Sequence, residues 1–134
     1  MTNERLQRLK PLRAALMDLH KTVIESERVG YEKTFGTIQS PNQFLQLLTT
    51  DPWFAWLQPL SRLIISLDEA LDEKEPGTDA AADALVDQIR SLLVASEDGE
   101  GYSKHYFEAL QRDPDVVLAH AEVAKLLGPR KKTE

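Results

Sequence analysis

Apolar residues return every three or four positions along almost the whole chain, and strict alternation appears nowhere. That period predicts helices. Its strongest instance is residues 51–71, which run Asp-Pro-Trp-Phe-Ala-Trp-Leu-Gln-Pro-Leu-Ser-Arg-Leu-Ile-Ile-Ser-Leu-Asp-Glu-Ala-Leu. Asp51 suits an N-cap and Pro52 a first helical position. Trp53, Trp56, Leu57, Leu60, Leu63, Ile64, Leu67 and Leu71 then form one apolar stripe. The spacing predicts a single central helix with both indoles buried and a kink at Pro59.

The same reading places a first helix over residues 3–33, with Leu6, Leu9, Leu12, Leu16, Leu19, Val23 and Ile24 on its inner face and Pro11 starting or bending it. Ser40-Pro-Asn-Gln43 is a capping box opening a short helix with Phe44, Leu45, Leu47 and Leu48. Residues 72–79 form a polar loop with a Pro-Gly turn. A helix over 79–96 buries Ala82, Leu85, Val86, Ile89, Leu92 and Leu93. After the glycine-rich turn 97–101, a short helix spans 102–112, and Asp113-Pro114 starts a last one ending at Leu127 before Gly128-Pro129. The expected fold is all-α, an antiparallel helical bundle of four longer helices plus one or two short ones. Residues 1–128 are read as one domain and 129–134 as a basic C-terminal tail.

A chain of 134 residues can bury roughly two-thirds of its unfolded surface. Its composition, 42% hydrophobic and 28% charged, is that of an ordinary globular protein. The net charge of −6 argues against a nucleic-acid surface, which needs a basic face. No apolar run reaches the ~18 residues of a membrane span. The N-terminus lacks the apolar centre of a signal peptide, so the expected location is cytoplasmic. Cysteine is absent, which removes disulfides and thiolate chemistry.

The run Asp-Pro-Trp-Phe-Ala-Trp-Leu-Gln-Pro-Leu-Ser-Arg-Leu-Ile, with the later Asp-Pro-Asp-Val-Val-Leu-Ala-His, resembles a group of small all-helical bacterial proteins of unassigned activity. The resemblance implies a helical fold over most of the chain and carries no functional residue with it.

One feature exceeds what a plain core needs. At ~100° per residue, Arg13, His20, Glu27 and Tyr31 fall in one line along the first helix, between Leu16 and Val23 on one side and Met17 and Ile24 on the other. His120 is set similarly among Val116, Val117, Val123, Ala124 and Leu127. Buried polar groups need partners, and such a column either fixes helix register or forms a ligand site. His20, Glu27, Tyr31 and His120 are therefore the candidate ligand or metal residues. No Glu-x-x-His pair exists, which excludes a ferritin-like di-iron centre. No nucleophile elbow or phosphate-cradling loop appears either, and no cofactor is identified. His105, beside Tyr102 and Tyr106, reads as a surface or half-buried histidine. The expected function is non-enzymatic, that of an interaction or scaffold protein that binds a protein partner or itself. The alternative is a metal- or ligand-binding bundle.

Overall fold

Thr2 starts α1 (Asn3–Phe35) by accepting a hydrogen bond from the Arg5 N–H, and Gly36, at φ +99°, ends it. At 1.5 Å per residue this helix is about 50 Å long, and Pro11 lies within it. Leu9, Leu12, Leu16, Leu19 and Val23 are buried along its inner face, continued by Ser26 and Glu27. The computed structural model describes residues 1–129; all of the expected basic tail, 129–134, except its first residue lies outside the described residues.

Ser40 caps α2 (Pro41–Thr50), its side chain accepting from the Gln43 N–H. The Gln43 side chain reaches one residue further back than a capping box requires and accepts from the Gln39 N–H at 2.7 Å. No residue of α2 is fully buried; Phe44, Leu47 and Leu48 only rest against the core.

The expected single helix over 51–71 is two elements. Asp51 accepts from the Trp53 N–H at 2.8 Å and opens a 3₁₀ segment, Pro52–Leu57, which passes into α3 (Gln58–Ala70). Residues three apart eclipse in a 3₁₀ turn, so Phe54 and Leu57 point inward together and lead into Leu60, Leu63, Leu67 and Ala70. Trp53 and Trp56 are displaced to the shoulders and are half-buried rather than buried. Pro59 does not kink a helix. It occupies the second position of a new one, where no backbone donor is required.

Thr78 caps α4 (Asp79–Leu92), which ends earlier than expected because the chain tightens. The Leu93 N–H is shared between the Ile89 and Arg90 carbonyls at 3.2 Å each, and the Ser96 N–H is taken by the Ser103 carbonyl. Leu92 and Leu93 are left half-buried. Two helices complete the chain, α5 (Tyr102–Arg112) and α6 (Pro114–Leu127), the second capped by Asp113. Val116, Ala119, Val123 and Leu127 form the inner face of α6, with Val117 and Ala124 exposed.

The described residues contain helices and no strand. α1 packs against α3, α4, α5, α6 and the 3₁₀ segment, and one contiguous apolar core links Leu9 on α1 to Leu127 on α6. None of these helices is long and apolar enough to cross a membrane.

Candidate functional site

The residues of the polar column take separate partners. Arg13 forms an ion pair with Asp68 on α3. The His20 Nε2 lies 2.8 Å from the Ser61 Oγ, and the Ser61 hydroxyl also faces the Leu57 carbonyl at 3.4 Å. With that hydroxyl donating to the carbonyl, His20 donates through Nε2–H. Glu27, 7% exposed, accepts from the Arg112 Nη2 at 2.8 Å, and the Arg112 Nε donates to the Ser26 Oγ at 3.2 Å. One arginine at the end of α5 thus satisfies two buried polar side chains of α1. Tyr31 packs its ring against Phe35, Trp53 and Phe54 at centroid distances of 4.9, 6.0 and 5.5 Å. His120 meets the Tyr106 hydroxyl through Nδ1 at 2.6 Å. Burial lowers the pKa of both His20 and His120, so each ring is held toward its neutral form.

Among the described residues no three His, Cys, Asp or Glu side chains gather as a metal ion would need. Ser61 and Arg112, the partners that settle His20 and Glu27, lie 41 and 85 residues away in the chain. No local sequence signal marks them.

Among the described residues, two concave regions stand out. The cleft of about 730 Å³ between α1 and α4 contains Arg5, Arg8 and Arg90, but all three are engaged. Arg5 pairs with Asp79 and Asp83. Arg8 and Arg90 both donate to the Leu127 carbonyl, and Arg90 also to that of Gly128. They close the carbonyl end of α6, where cations are favoured.

The second is a shallow groove of about 770 Å³ between α1 and α3. Its walls are Met17 and Ile24 from α1 and Ile64 and Ile65 from α3. Met17 is 43% and Ile65 57% exposed, although both helices have complete inner faces of their own. His20 and Ser61 also line the groove, and Arg13, Asp18 and Lys21 supply its charges. Two members of the polar column therefore belong to this surface, while Glu27, Tyr31 and His120 are not among the residues lining it.

The chain matches no protein-family model, no curated protein and no solved structure.

Proposed function

We propose that this is a non-enzymatic, cytoplasmic interaction module, an antiparallel bundle that receives an amphipathic helix of a partner protein in the α1–α3 groove. The supporting observation is the exposure of Met17 and Ile65 across that groove, with Ile24 and Ile64 beside them. Two parallel rows of apolar side chains are what a helix with anchors at i, i+3, i+4 and i+7 fits. Methionine adapts its shape to such anchors at little cost. Lys21 and Asp18 border the groove with charges of both signs, and Arg13 is already paired with Asp68, so the apolar rows carry the contact and the charged rim can only fix its register.

Selection of phage-displayed helical peptides against the intact protein tests this reading. Enriched peptides should carry helically spaced apolar anchors and lose at least tenfold in affinity to a Met17→Glu/Ile65→Glu variant of unchanged helicity. Peptides that bind the variant equally well would overturn it. So would concentration-dependent dimerisation of the wild type abolished by the same pair of changes, since the groove would then be filled by a second copy.

A further inference from the structure

We infer that the aromatic stack joining the 3₁₀ segment to α5 and α6 is a relay that carries an oxidising equivalent from Trp56 to Tyr106, with His120 receiving the phenolic proton. The rings are in continuous contact. Exposed His105 stacks on Trp56 at 5.4 Å and 16°, Trp56 meets Tyr102 at 5.5 Å, and Tyr102 stacks on Tyr106 at 5.7 Å and 17°. Such centroid separations leave ring edges near van der Waals contact. Electron tunnelling, which decays exponentially with the gap, is fast across each step.

Proton placement gives the relay its direction. The Trp56 Nε1 and the Tyr102 hydroxyl are both buried without a hydrogen-bond partner. His105 lies against the face of the indole, so an oxidised Trp56 has no hydrogen-bonded base at Nε1 for its proton and stays longer as the radical cation, a stronger oxidant than the deprotonated radical. Tyr102 cannot shed its proton either, so it serves as a bridge and not a resting place. Tyr106 differs from both: its hydroxyl lies 2.6 Å from the His120 Nδ1. Burial keeps the phenol protonated and the imidazole neutral, so the pair begins as donor and acceptor. A second ring cluster, Tyr31, Phe35, Trp53 and Phe54, has no histidine among its ring contacts.

A small one-electron oxidant, such as the azidyl radical or an oxygen-derived radical, takes one electron from Trp56 and becomes its anion. Trp56 recovers an electron from Tyr106 by way of Tyr102. The Tyr106 O–H proton moves to the His120 Nδ1, leaving a neutral phenoxyl radical and an imidazolium. The oxidising equivalent thus ends in the interior, on a side chain with 0% exposure.

Pulse radiolysis with azidyl radical on a Trp53→Phe protein, in which Trp56 is the only indole, tests the relay. The indole radical signal should decay as the tyrosyl signal rises, at a rate independent of protein concentration and slower in deuterated water. Adding Tyr106→Phe should abolish the transfer, and adding His120→Leu should slow it at least tenfold. Decay of the indole radical only by concentration-dependent recombination in Trp53→Phe would overturn the inference, whether or not the Tyr106 and His120 variants fold. Equal transfer rates with and without the Tyr106 hydroxyl would overturn it as well.

Discussion

His20 and His120 make the folded state sensitive to mild acid. Burial lowers the pKa of each below 6.5, and neither has a carboxylate as its hydrogen-bond partner: His20 faces Ser61, with Arg13, Asp18 and Lys21 around the groove, and His120 faces Tyr106. As pH falls through 6.5 the unfolded chain protonates its histidines while the folded chain holds these two neutral. Their contribution to stability is therefore full above that value and is lost on acidification toward the folded pKa. Urea midpoints measured between about pH 7.5 and 5 should fall with pH, and a His20→Gln/His120→Gln protein should show a shallower decline. An unchanged slope in that variant would mean the two rings titrate normally. The polar line on α1 was visible from spacing alone, and Glu27 is indeed buried. Its meaning was not, because Arg112 and Ser61 reach those positions only through the tertiary fold.

At the scale of elements, caps were the most legible feature. Ser40 and Asp113 start α2 and α6 where the sequence places them, each accepting from a backbone N–H of the first turn, and α5 and α6 match their expected limits. Residues 51–71 depart from the expected single helix because two periods, 3.0 and 3.6, follow one another without a polar break. The shorter period buries Phe54 in place of the tryptophans. The two descriptions of this segment predict different behaviour for Pro59→Ala. In the interior of one long helix, removing that proline would stabilise by ~3 kcal/mol. At the second position of α3 the ring displaces no intrahelical hydrogen bond, so thermal or urea unfolding should shift by less than ~1 kcal/mol. A large gain in stability would argue for a strained proline and against the observed break.

The whole molecule is organised around α1, the helix that meets α3, α4, α5, α6 and the 3₁₀ segment. Leu12, Leu16, Leu19 and Val23 are fully buried there, so exposing the amides of its middle turns means dismantling most of the core. α2 is placed differently. None of its residues is buried, Leu45 is 59% exposed, and its main packing is against the 3₁₀ segment. Its attachment rests on half-buried Phe44, Leu47 and Leu48, with the Arg28 guanidinium over the Phe44 ring at 5.4 Å. Regions with few buried apolar contacts open at lower free energy than the global transition. Native-state hydrogen exchange should therefore divide the chain. Amides of α2 should exchange through local opening that depends little on denaturant, whereas those around Leu16 and Leu19 should exchange only with global unfolding and converge on the equilibrium stability. Phe44→Ala should speed exchange in α2 and leave the slowest α1 amides almost unchanged. Equal protection of α2 and the middle of α1 would show that the short helix unfolds with the core.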